Sequence, residues 1–129
     1  MTLNKTREEE KIGRQVLAAA MRVHTALGPG LLEGAYEICL ASEIAQHGLE
    51  GQRQVTLPLV YREQGIDAGY RLDMLVDGRV VVEVKAVEKL LPIHLAQVLT
   101  YLRLGKYSLG YLLNFNVLHM RQGIKRIVL

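Results

Sequence analysis

The sequence predicts an α/β fold in the order α-α-β-β-β-α-β. Three observations carry this. Apolar residues recur at helical spacing over the first third of the chain, before Gly48. Runs rich in Val, Leu and Tyr then follow between residues 54 and 87, punctuated by Asp77-Gly78, a strong hairpin signal. A segment opened by Pro92 and closed by Gly105 has helical character again, and an apolar run follows it.

The first helix is expected to begin at Thr6-Arg7-Glu8-Glu9, which has the capping-box form. Ile12, Val16, Ala19, Ala20 and Val23 continue it on one face, and Gly28-Pro29-Gly30 stops it. The second helix is expected from about Leu31 to Gln46, with Gly48 suited to the left-handed position just past its end. The first strand is placed at Gln54–Tyr61. Pro58 cannot donate to a ladder there, which predicts an edge or a bulge. Glu63–Asp67 reads as a turn, Tyr70–Val76 as a second strand and Val80–Val87 as a third. The third helix runs from Pro92 to near Gly105, the fourth strand is Ser108–Phe115, and a short hairpin around Gln122-Gly123 is expected in the tail.

The Val80–Val87 strand carries the chemical signal. It reads as fully buried, yet it contains Glu83 and Lys85, both costly to bury. Residues two apart in a strand share a face, so Glu83 and Lys85 emerge side by side. Asp73 comes from the preceding strand. Two carboxylates and an ammonium on one rigid surface suit binding of a divalent ion and polarisation of a water. Parity tests the idea. A two-residue loop at Asp77-Gly78 would pair Asp73 with Val82 and send Glu83 to the other face. A three-residue loop, Val76-Asp77-Gly78, puts Asp73 opposite Val81 with Glu83 a same-face diagonal neighbour. The site therefore requires an odd loop.

On the third helix, His94, Gln97 and Tyr101 form a polar stripe beside the apolar Leu91, Leu95, Val98, Leu99 and Leu102. A helix that follows the Glu83 strand packs back over the sheet and brings Gln97 and Tyr101 to the rim of the carboxylates. Plainer readings stand beside these. Glu33 in a first helical turn suits the helix dipole without any catalytic role. Tyr36 and Cys39 read as core, His94 as a surface or supporting residue, and Arg121, Lys125 and Arg126 as solvated surface able to meet phosphates.

Composition bounds the class. The chain has 129 residues, enough for one domain with a real core. Half the residues are hydrophobic and 22% are charged, which excludes a disordered chain. A net charge of +3 permits a polyanionic partner without demanding one. The single cysteine excludes an intrachain disulfide and fits a reducing compartment. Met1–Lys11 lacks the apolar core of a signal peptide, and no apolar stretch reaches membrane-spanning length, so a cytoplasmic protein is expected. There is no Gly-rich nucleotide loop and no Cys/His zinc pattern.

These residues resemble a known family. Asp73 followed by Glu83-Val84-Lys85 matches the PD-(D/E)XK nuclease signature, within a matching αβββαβ order. Gln97-Val98-Leu99-Thr100-Tyr101 looks like the QxxxY motif of the RecB-like branch. Gly30-Leu31-Leu32-Glu33-Gly34-Ala35-Tyr36 resembles the name motif of the GxxExxY proteins. The resemblance covers the chain from about Val16 to Arg126. Leu72 stands where the signature has proline. The resemblance implies a restriction-endonuclease-like core with an extra N-terminal helix and a mixed central sheet. It also implies a metal-dependent nuclease that hydrolyses phosphodiester bonds in DNA or RNA. Asp73 and Glu83 would ligate Mg²⁺ or Mn²⁺, with the Val84 carbonyl a further ligand and Glu33 approaching directly or through water. Lys85 would act on the attacking water and the phosphate. Gln97 and Tyr101 would contact the backbone of the nucleic acid or position Lys85. A homodimer would enlarge the binding surface. The alternatives are a non-catalytic nucleic-acid- or protein-binding module on the same fold, and a small-molecule phosphoesterase.

Overall fold

The computed structural model describes residues 2–129, with side chains described from Arg7 onward. Helices α1 (Thr2–Leu27) and α2 (Glu33–Gln46) lead into strand β1 (Gly51–Thr56) and a small hairpin, β2 (Leu59–Tyr61) and β3 (Gln64–Ile66). Strands β4 (Arg71–Val76) and β5 (Val80–Lys85), helix α3 (Pro92–Gly105) and strand β6 (Leu109–Asn114) follow. A 3₁₀ turn (Met120–Gly123) and strand β7 (Ile124–Val128) complete the chain. The central sheet has the order β1-β4-β5-β6-β7. Only β5 and β6 run parallel, joined through α3, and the other pairs are antiparallel, so the sheet is mixed.

The sheet separates two cores. On one face α1 and α2 bury Val16, Ala20, Tyr36, Leu40 and Ile44 against Val80, Val82, Val84 and Phe115. Tyr36 stacks on Phe115 with ring centroids 4.7 Å apart. On the other face Val98, Tyr101 and Leu102 of α3 cover Leu75, Val81 and Leu112. The odd residues of β5 therefore face α3 and the even ones face α1 and α2, as the period of a strand dictates.

Several boundaries differ from expectation. Helix α1 starts at Thr2 rather than at Thr6, whose side chain lies outside the described residues. The expected first strand is interrupted at Leu57-Pro58. Its first half is an edge strand, and its second half turns away as β2. The turn expected at Glu63–Asp67 is tighter. Arg62 (φ 50°) and Glu63 (φ 66°) reverse the chain and Gln64–Ile66 returns as β3. Strand β5 ends at Lys85, because Asn114 takes the Val87 backbone onto its side-chain amide through two hydrogen bonds, 3.0 and 2.9 Å. The tail hairpin is absent from the described residues; a 3₁₀ turn feeds β7, which pairs back onto β6. The Pro92–Gly105 helix and the left-handed Gly48 (φ 83°) after α2 lie where the sequence puts them.

Candidate active site

The β4–β5 hairpin sets the site. Asp77 (φ 50°) and Gly78 (φ 65°) both take positive φ, as a type I′ turn requires, and the Arg79 N–H donates to the Val76 carbonyl at 3.0 Å. A two-residue turn alone would pair Val76 with Arg79. The ladder instead pairs Val76 with Val80, Leu75 with Val81 and Met74 with Val82. Arg79 is therefore an extra residue, a bulge that makes the loop odd. The required parity holds, but the register is two residues from the expected one. Asp73 falls across from Glu83 itself rather than across from Val81.

Regular pairing stops there. Beyond Met74–Val82 each carboxylate replaces a ladder partner. The Asp73 N–H donates to Glu83 Oε2 at 2.9 Å, and the Val84 N–H donates to Asp73 Oδ2 at 2.8 Å. One oxygen of each carboxyl accepts from the opposite strand, and the two carboxyls also meet each other, which adds to the rise of Glu83. The Val84 N–H points towards β4, and in an extended strand the carbonyl of the same residue points the same way. On the other side of β4, Arg53–Met74 and Val55–Leu72 pair, but Gln54 between them sits at φ 54°. Both neighbours of β4 thus depart from the regular ladder at Asp73, and a left-handed non-glycine residue there is backbone strain at the site.

The electrostatics follow from burial. Glu83 is 4% exposed. Desolvation first, and the Asp73 charge second, push its carboxyl up to about 8, against the opposing pull of the Asp73 N–H and Lys85. Asp73 is raised mainly by burial as well, with the negative charges of Glu37 and Glu33 adding to it and the Val84 N–H and Lys85 opposing it. Two buried carboxyls that resist ionising together are a natural seat for a cation, and an all-oxygen donor set suits hard ions such as Mg²⁺ or Mn²⁺. Among the described residues no three His, Cys, Asp or Glu side chains form a ready-made metal cluster. Glu33 is exposed and stands apart from the pair, acting on Asp73 through its charge.

Lys85 shares the α3 face with Glu83 and is half-buried. Its charge reaches both carboxyls, while the ion pairs of the described residues lie elsewhere: Arg22 with Glu43, Arg53 with Glu37 and Arg126 with Glu10. Gln97 and Tyr101, one turn apart on α3, are joined by a 3.0 Å bond from the Gln97 amide to the Tyr101 hydroxyl. Burial, and then the Glu83 charge, raise the Tyr101 phenol. Lys85, Gln97 and Tyr101 line one cleft of about 580 Å³ together with Tyr70, Ile93 and His94. His94 has a second task, since its Nδ1 accepts the Leu91 N–H at 3.0 Å and caps α3.

A model of the PD-(D/E)XK nuclease superfamily matches residues 10–127. The chain belongs to that superfamily. Among curated proteins and solved structures, none matches significantly. Membership of the superfamily points to a nuclease function, a nucleic-acid substrate and the use of divalent metal ions. No helix among the described residues is long and apolar enough to cross a membrane.

The Gly30…Glu33…Tyr36 segment has a structural logic within this superfamily fold. The Tyr36 hydroxyl donates to the Gly28 carbonyl at 2.6 Å and accepts the Leu31 N–H at 3.1 Å, so the buried tyrosine ties the loop that presents Glu33. Tyr36 is core, as read from the sequence; Cys39 is half-buried against the same core. Of the basic tail residues, Arg126 pairs with Glu10 of α1. Sequence reasoning missed Glu37. It is 7% exposed and is held by Gln54 Nε2 at 2.7 Å and an Arg53 Nη at 3.0 Å. Its spacing of four from Glu33 was the available signal, because that spacing puts both acids on one side of α2. Nothing in the sequence pointed to Tyr70.

Proposed function

We propose that this chain is an active, metal-dependent nuclease of the GxxExxY branch of the superfamily. The observation that supports it most is the opposition of Asp73 and Glu83 at the end of their ladder, with Lys85 next on the same face. Asp73 and Glu83 would hold Mg²⁺ or Mn²⁺ between them, with the Val84 carbonyl alongside and Glu33 acting directly or through a water. When bound, such an ion neutralises charge on the phosphate and makes a coordinated water easier to deprotonate. Lys85 would orient the attacking water and stabilise the charge that builds on the phosphate in the transition state. The Gln97–Tyr101 pair lines the same cleft as Lys85 and would position its ammonium or the nucleic-acid backbone. The GxxExxY assignment rests on Gly30, Glu33 and Tyr36 and on the hydroxyl tie just described.

The absence of a three-residue metal cluster among the described residues favours a second reading, a binding module whose site no longer turns over. One assay separates the two. Single- and double-stranded DNA and RNA are incubated with Mg²⁺ or Mn²⁺ against EDTA, with wild type beside Lys85→Ala. The nuclease reading expects metal-dependent cleavage that the variant loses. Metal-independent binding without cleavage by the wild type would replace it with the module.

A further inference from the structure

We propose that the cleft beside Lys85 is a binding site for one unpaired nucleobase next to the scissile phosphate, so that the strand is engaged there in single-stranded form. The inference rests on the nuclease reading and adds a substrate feature to it.

The position of the cleft is the first argument. It shares Lys85 and Tyr101 with the carboxylate site, so an occupant lies about one nucleotide from the reacting phosphate. The second is its shape and chemistry. A volume of about 580 Å³ is in the range of small-ligand sites and holds a base with its sugar. The Tyr70 and Tyr101 rings, tilted with centroids 6.3 Å apart, and the aliphatic Leu59 and Ile93 give it largely apolar walls. A base has apolar faces and a polar edge, and the cleft offers matching polar atoms. His94 Nδ1 is occupied by the Leu91 N–H, so the neutral ring carries its proton on Nε2, a donor. The Gln97 amide gives one N–H to Tyr101, which leaves its second N–H as a donor and its oxygen as an acceptor.

The third argument is charge. Among the described residues that line the cleft, Lys85 is the one lysine or arginine. A surface that grips a duplex by its phosphates needs many cations. Here the exposed lining is largely apolar instead, with Tyr70 45% and Ile93 66% exposed, and one arginine, Arg103, reaching the Thr100 hydroxyl of the wall. Exposed aromatic and aliphatic side chains beside a cleavage site suit the stacking of unstacked bases, which tolerates any base because each has a π-face.

Two variants test this away from the catalytic groups. Ala96 is exposed on the cleft wall, so Ala96→Trp fills the cleft from the surface, and Tyr70→Ala removes an exposed aromatic wall. Binding is measured by anisotropy in EDTA, so that it does not depend on turnover. The probes are a ten-nucleotide single strand (deoxy and ribo versions), a strand of the same length that is abasic throughout, and a duplex. The wild type is expected to bind at least one intact single strand about tenfold or more tighter than the abasic strand and the duplex. Each variant should lose about tenfold on the single strand, the scale of one stacked base. In a third measurement, an otherwise abasic strand carries a single 2-aminopurine, and its fluorescence should change strongly when the wild type binds it.

Equal binding of duplex, abasic and intact strands, or folded variants with wild-type affinity, overturns the base site. So does a 2-aminopurine signal that binding leaves unchanged. Self-association of the wild type that Ala96→Trp abolishes, with oligonucleotide affinity unchanged, would assign the cleft to a second copy and also overturn it. Metal-dependent cleavage that persists through any of these results leaves the nuclease reading standing, and a wild type that binds the base but never cleaves removes only that reading.

Discussion

On the face of β5 that meets α1 and α2, Val80, Val82 and Val84 are buried among Tyr36, Leu40, Ile44 and Phe115. On the face that meets α3, Val81 begins the same way, and then Glu83 and Lys85 replace valine. The strand, its length and its neighbours are shared; only the side chains differ. The first face is satisfied by packing alone. The second holds a carboxyl that burial drives up to about 8, and the β4–β5 pairing leaves the regular ladder to receive it while β6 stays paired. Stability is thus invested on one side of the sheet, and a destabilising, pre-organised arrangement is carried on the other. A rigid apolar face is what holds two reluctant carboxyls at one spot.

The largest effect expected from disturbing this contrast is on the charged face. Lys85→Ala should leave the fold and metal binding largely intact and cut cleavage by about 10²–10⁴, the usual worth of a positioned acid–base or electrostatic group. Lys85→Arg should rescue little, because a guanidinium stays protonated and differs in shape. Asp73→Ala should abolish Mg²⁺ or Mn²⁺ binding in calorimetry. Wild-type turnover in Lys85→Ala would remove the lysine from the chemistry.

The apolar face should respond in the opposite currency. Phe115→Ala removes the partner of the Tyr36 ring and leaves a cavity, at a cost of about 3–5 kcal/mol in denaturant unfolding. Metal affinity should not change in the fraction that stays folded. A variant of undiminished stability would mean that the two faces are not divided in this way.

The metal-free protein should also reveal its strained face through pH. The folded Glu83 carboxyl holds its proton to about 8, against an ordinary value of 4.5. Between those values the folded state binds more protons than the unfolded one, so stability falls as pH rises. Thermal unfolding in EDTA should show Tm declining from pH 5 to pH 9. Glu83→Gln should flatten the decline and be the more stable protein at the alkaline end. Saturating Mg²⁺ should oppose the decline in the wild type, because the ion binds the deprotonated pair. A wild-type Tm that rises over this range would show that the carboxyl is not raised.

Much of the contrast was legible in the sequence because it is a matter of period. Val80-Val81-Val82-Glu83-Val84-Lys85 fixes which side chains share a face once it is a strand. Pro92, Gly105 and Gly48 marked helix boundaries through backbone preferences that tertiary contacts did not override. The bulge at Arg79 was not legible. A turn of Asp77-Gly78 is compatible with either parity, and what selects between them is the burial of the whole strand rather than any residue of the loop. The Asn114 side chain that ends β5 is 27 residues from its partner, and contacts at that range leave no local trace. The same holds for Glu37, whose partners Arg53 and Gln54 lie on β1.

Helix α2 belongs to both faces, and it gives the smallest effect. Its Tyr36, Leu40 and Ile44 are core on the apolar side, while Glu33 and Glu37 both act on Asp73 through charge. Glu37 is anchored by two side chains of β1, whereas Glu33 is exposed at the start of the helix. A group that reaches an ion only through water is worth less than a direct ligand, about 10–100-fold at most. Glu33→Gln is therefore expected to weaken Mg²⁺ binding by roughly tenfold or less, by that measure, and to leave the unfolding midpoint unchanged. Asp73→Ala, in the same calorimetry, loses the binding altogether. If Glu33→Gln loses it as completely, then Glu33 is a direct ligand. The helix N-terminus must then shift towards the carboxylate pair when the ion binds, against the restraint of the tie from Tyr36 to Gly28.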